Sequence, residues 1–185
     1  LAVKDKGYAL EHVPEELKTV DICNIAVKQN GMALGYVPYE FKTLELCFEA
    51  VKQNGYALWK VPYEYKTAAL CEVGVKSHGT AIQFVPEELI SPELCKMAVR
   101  DMGQALEFVP EELRTPELCE LAIKGVLGKG GNLQFAPYEL RTKELCELAV
   151  STSGWALEFV PEKFRTYELC ELAVKRYGYA LEFVP

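Results

Sequence analysis

The stretch Thr166-Tyr-Glu-Leu-Cys-Glu-Leu-Ala-Val-Lys-Arg-Tyr-Gly-Tyr-Ala-Leu-Glu-Phe-Val-Pro185 decides the fold. Leu169, Cys170, Ala173 and Val174 fall at i, i+1, i+4 and i+5, which paints one face of an α-helix. Thr166 stands just before that run, where a hydroxyl caps free amides. Gly178 follows twelve residues later, where glycine is expected to turn left-handed and close a helix of about three turns. The closing Ala180, Leu181 and Val184 suggest a second, shorter element ended by Pro185. The valine before a proline is driven away from helical geometry, and the proline can open a fresh turn. The expected unit is therefore a longer helix, a short kinked helix A and one further helical turn. A strand competes over Ala156-Leu157-Glu158-Phe159-Val160 and would make a leucine-rich horseshoe. The chain lacks a Leu-x-x-Leu-x-Leu pattern and an asparagine ladder, which favours the helix.

The same unit recurs along the whole chain. Proline falls at Pro14, Pro38, Pro62, Pro86 and Pro110, then Pro137, Pro161 and Pro185. Cysteine falls at Cys23, Cys47, Cys71, Cys95 and Cys119, then Cys146 and Cys170. Every step is 24 residues except one of 27, so three residues are inserted within 124–132. A period of this size means stacked units, each too short to bury its own apolar face. The expected fold is all-α: a superhelical α-solenoid of about seven and a half hairpins over 1–185, with unit boundaries near 19, 43, 67, 91, 115, 142 and 166. Leu1-Ala2-Val3-Lys4 matches the middle of a unit and Pro185 stops within one, so a segment of a longer protein is expected.

Thr166–Pro185 and Ala50-Val-Lys-Gln-Asn-Gly-Tyr-Ala-Leu58 resemble a bacterial helical repeat catalogued only as a domain of unknown function, found in secreted effector-like proteins. More distantly they resemble the leucine-rich-repeat variant, another all-helical array. Both resemblances imply an α-solenoid, and neither implies catalytic residues.

Composition narrows the function. A formal charge of −7 argues against a non-specific grip on nucleic acid. No run is long and apolar enough for a membrane-spanning helix. The seven cysteines share one repeat position, and neighbouring helices stand too far apart for equivalents to bridge. They read as small buried hydrophobes, with neither metal nor other cofactor expected. A reducing compartment is expected, either cytoplasm or a host cytosol reached by secretion. Serines are few, and Ser77 beside His78 is expected to point away from it, with His78 exposed. His12 takes a phenylalanine position. No catalysis is expected.

Function is sought where units disagree. On the face of helix A, the second and third units carry Met32, Tyr36, Tyr39, Tyr56, Trp59 and Tyr63. Of 20 aromatic residues, eight lie between 36 and 65, and exposed Tyr and Trp make good binding anchors. Repacking between units is the competing reading. The glycine-rich insertion reads as a bulge, since it lacks a phosphate-loop motif. Two basic columns (Lys28, Lys52, Lys76, Arg100, Lys124, Lys175; Lys18, Lys42, Lys66, Arg114, Arg141, Arg165) and an acidic one (Glu16, Glu40, Glu64, Glu88, Glu112, Glu139) read as solvated edges with ion-pair ladders between units. The function expected is a non-catalytic scaffold for a protein or peptide. Its rivals are a structural spacer and the recognition part of an effector whose enzyme lies elsewhere.

Overall fold

The computed structural model describes residues 6–125 and 130–185, and every regular element among them is helical, with no strand. The fold is an all-α tandem array of the α-solenoid class. Seven α-helices recur: α1 Val20–Gln29, α2 Leu44–Gln53, α3 Ala68–Ser77, α4 Pro92–Asp101, α5 Pro116–Lys124, α6 Lys143–Thr152 and α7 Tyr167–Arg176. The chain divides into two compact units, Leu1–Leu94 and Cys95–Pro185. Residues 126–129, most of the inserted stretch, lie outside the described residues.

Each α-helix starts on the expected cap. The Thr43 hydroxyl accepts from the Leu46 amide at 3.2 Å, Ser91 from Leu94 at 3.2 Å and Thr115 from Leu118 at 3.2 Å. The second element differs from expectation. It is a 3-10 helix, as at Gly31–Tyr36, with the turn after the proline a further 3-10 piece, Tyr39–Phe41. The reason is length. Val37, before Pro38, is extended (φ −77°, ψ 128°), so six residues remain, and short pieces favour i→i+3 bonding. Val37 N–H donates to Leu34 C=O and Ala33 N–H to Asn30 C=O. Of the Ala156–Val160 stretch that could have been a strand, all but Val160 belongs to the 3-10 helix Gly154–Phe159, and Val160 follows it in extended geometry.

The turn glycines also act differently from expectation. No glycine among the described residues has positive φ. The residue before each is extended, as at Asn30 (φ −153°, ψ 111°). What demands glycine is crowding. A Cβ on Gly31 would run into the Ala50 carbonyl oxygen of the next repeat, and one on Gly55 into that of Gly74. Neighbouring repeats thus touch backbone to backbone at this column.

In the Leu1–Leu94 unit, α2 packs beside α1 and α3, and the 3-10 helices Gly31–Tyr36 and Gly55–Lys60 cover it from the other layer. The core between the layers holds Leu10, Leu34, Leu58, Leu70 and Ile82, with Cys23, Cys47 and Cys71, all fully buried. In the Cys95–Pro185 unit, α6 packs beside α5 and α7 over Leu106, Ile123, Leu133 and Leu157. The seven cysteines are buried thiols outside any disulfide, as expected of small hydrophobes. Burial pushes the Cys47, Cys119 and Cys146 thiols up to about 11.

One charged column departs from expectation. Lys18, Lys42, Lys66, Arg114, Arg141 and Arg165 are not solvated edges. Lys18 is buried, and the other five are half-buried. Arg141 Nε donates to Ala136 C=O at 3.0 Å, and its Nη2 to Gln134 C=O at 3.0 Å. Its Nη1 reaches Phe159 C=O of the next repeat at 3.0 Å. Arg114 and Arg165 repeat that arrangement. Lys42 and Lys66 make only the crossing bond, Lys42 Nζ to Lys60 C=O at 3.3 Å and Lys66 Nζ to Phe84 C=O at 2.8 Å, whereas Lys18 pairs with Glu15 of its own turn at 2.6 Å. These cations close the 3-10 helices, whose last carbonyls have no partner within the helix. Lys28, Lys52, Lys76, Arg100, Lys124 and Lys175 are exposed, as expected. Ion pairs among the described residues stay within one helix or turn, such as Lys175–Glu171 at 2.8 Å, and no ladder of them joins repeats.

Candidate functional site

The expected site residues fall into two groups, both within Leu1–Leu94. The first surrounds Phe84. The Tyr56 ring meets the edge of Phe84 at 6.5 Å, and the Trp59 ring stacks on Phe84 at 6.3 Å. Tyr56 is half-buried and fixed, with its hydroxyl 2.6 Å from Thr80 Oγ1 and its ring 4.7 Å from His78. Trp59 remains 59% exposed, with the Lys60 ammonium 3.7 Å above its ring. Gly35 makes that possible, since a Cβ there would lie 2.9 Å from Lys60 Cε.

His78 and Ser77 depart from expectation. His78 is half-buried against Tyr56, and its Nδ1 lies 3.0 Å from Ser77 Oγ. Both atoms accept from the Gly55 amide, each at 3.3 Å. The glycine column places that amide against the next helix end, so the pair serves the backbone. Gln53 does the same one repeat earlier, accepting from Gly31 N–H and donating to Lys28 C=O at 2.6 Å.

The second group lies on the turns after the prolines. Tyr39 and Tyr63 are 65% and 67% exposed. The Tyr39 hydroxyl donates to Glu64, and the Tyr63 hydroxyl to Glu88, each in the following repeat. These bonds hold the Tyr39 and Tyr63 phenols above their ordinary pKa and the Glu64 and Glu88 carboxyls below theirs. Met32 and Tyr36 are half-buried, and the Tyr36 hydroxyl is tied to Glu11. So Tyr39, Trp59 and Tyr63 present open surface, whereas Met32, Tyr36 and Tyr56 mostly support it.

A family model described as Domain of unknown function (DUF4116) matches residues 1–42, 19–66, 71–114, 116–165 and 142–185. The chain belongs to this family. Most matches span close to two of the 24-residue units, as expected of hairpins that need a neighbour. No curated protein matches the chain.

Two features of these DUF4116 repeats went unseen in the sequence. Phe84, the ring that gathers Tyr56 and Trp59, occupies a position where phenylalanine also recurs at Phe108, Phe135 and Phe159, so nothing singled it out. In the Cys95–Pro185 unit, Trp155 meets Phe159 edge-on at 5.1 Å over Gly131 and is 39% exposed. Its signal was the position after the turn glycine, which also holds Tyr56. Asn132, at the edge of the insertion, is buried and donates to Ala122 C=O at 2.8 Å. No group of three His, Cys, Asp or Glu side chains suited to a metal occurs among the described residues, and no helix there is long and apolar enough to cross a membrane.

Proposed function

We propose that the chain is a non-catalytic repeat scaffold that binds a protein or peptide along the face carrying Tyr39, Trp59 and Tyr63. One observation carries the reading. These three rings stand at positions where most units carry Glu or Gln, Tyr138 being a further exception, are more than half exposed and are held by neighbours in the next repeat. Exposed aromatic side chains that are already ordered lose little entropy on docking. The resemblance to effector-like bacterial proteins supports an alternative, that the array is the recognition part of an effector, in a compartment that keeps its seven cysteines reduced. Nucleic acid is disfavoured by the net charge of −7. The rival, a spacer without a ligand, draws on the near-identity of the units. The test is selection of a random displayed-peptide library on the wild-type chain and on a Tyr39→Ala, Trp59→Ala, Tyr63→Ala variant with an unchanged circular dichroism spectrum. Peptides retained by the first and lost by the second support the reading. Equal retention, or none, refutes this placement.

A further inference from the structure

The turns that carry Tyr39 and Tyr63 have a charge pattern of their own. Glu40, Glu64, Glu87 and Glu88 are exposed beside the two rings. The cations of the same turns, Lys42 and Lys66, point inward to the Lys60 and Phe84 carbonyls and leave the carboxylates unneutralised. Each tyrosine hydroxyl donates to a glutamate of the next turn, which fixes the ring and leaves its face open. No cation lies over either ring among the described residues, although the chain sets Lys60 over its neighbouring Trp59 at 3.7 Å.

Equivalent positions of stacked repeats are expected one helix spacing apart, ~8–10 Å. A polyproline II strand advances about 9 Å in its three-residue turn, with every third side chain on one side. We infer that the Tyr39–Tyr63 row docks an extended cationic peptide with an arginine at every third residue. Each guanidinium lies on a tyrosine face and pairs with the adjoining carboxylate. The inference rests on the scaffold reading and names its partner class. Charge complementarity selects this occupant. An apolar helix would leave four carboxylates unpaired, and a nucleic acid would be repelled by them.

The test is fluorescence anisotropy with labelled synthetic peptides on the whole chain. One peptide repeats Pro-Pro-Arg, a second carries as many arginines at every fourth residue, and a third replaces arginine by citrulline. The three-residue spacing is expected to bind about tenfold tighter than the four-residue spacing, and citrulline to abolish binding. Tyr39→Leu with Tyr63→Leu should lose about tenfold, whereas Tyr39→Phe with Tyr63→Phe, which keeps the rings, should stay within about threefold. Equal affinity for the two spacings, indifference to Tyr→Leu, or absence of binding overturns the inference. The library selection separates this failure from that of the scaffold reading. Library peptides that need the aromatic face but lack spaced basic residues sink the inference alone.

Discussion

At the residue scale, the most demanding positions are those with no side chain. Gly31 and Gly55 lie against carbonyls of the next repeat, with no room for a methyl group. Gly31→Ala or Gly55→Ala should cost about 1–3 kcal/mol, read by urea denaturation. Gly74 is the opposite case. It stands where other units have alanine, its added Cβ would meet Val51 Cγ1 at 3.2 Å and Leu58 Cδ2 at 3.4 Å, and it lies inside α3. Gly74→Ala should stabilise by about 0.5–1 kcal/mol in the same measurement, as neighbouring units accept that side chain. The sequence marked the glycine column, but for the wrong reason. Period and spacing show that a residue must be small, whereas the choice between a left-handed turn and a close backbone approach depends on coordinates.

The Tyr–Glu bonds carry a pH signature at the same scale. The phenols of Tyr39 and Tyr63 are held above 10, so what they add to stability is complete below that value and is lost as pH rises through the raised one. The Glu64 and Glu88 carboxyls are held below 4.5, so their share is complete above it and is lost as pH falls through the lowered one. The row is therefore intact at neutral pH. An ultraviolet titration should show late-ionising tyrosines that Glu64→Gln with Glu88→Gln brings back toward the ordinary value. An unchanged titration would mean that these bonds do not form in solution.

At the scale of the element, the repeat was legible where it is local and not where it is shared. Thr and Ser caps, the nine- to ten-residue α-helices and the break before proline follow from a few neighbouring residues. The 3-10 character of the second element was hidden, since six residues in a helical pattern fit either helix. The burial of the basic column is not legible, because a lysine four residues after a proline looks solvent-facing and its acceptors belong partly to the next repeat. That geometry separates lysine from arginine. Lys66 makes one bond, whereas Arg141 makes three. Lys66→Arg should gain about 1 kcal/mol by adding donors to carbonyls of its own repeat. A denaturation midpoint at or below wild type would show that the extra donors find no acceptor.

At the scale of the whole molecule, the residues that repeat hold the array, and Tyr39 and Tyr63, which depart from the pattern, present open surface. Both halves of that claim can be read from one thermal-unfolding series. Arg141→Ala removes three charge-assisted bonds between and within repeats, a loss of about 2–4 kcal/mol. It should lower the melting midpoint by roughly 5–15 °C. Tyr39→Ala with Tyr63→Ala removes only exposed rings and surface hydrogen bonds and should leave the midpoint within about 2 °C of wild type. A fall for the tyrosine pair as large as that for Arg141→Ala would show that the rings serve packing between repeats, contradicting the account.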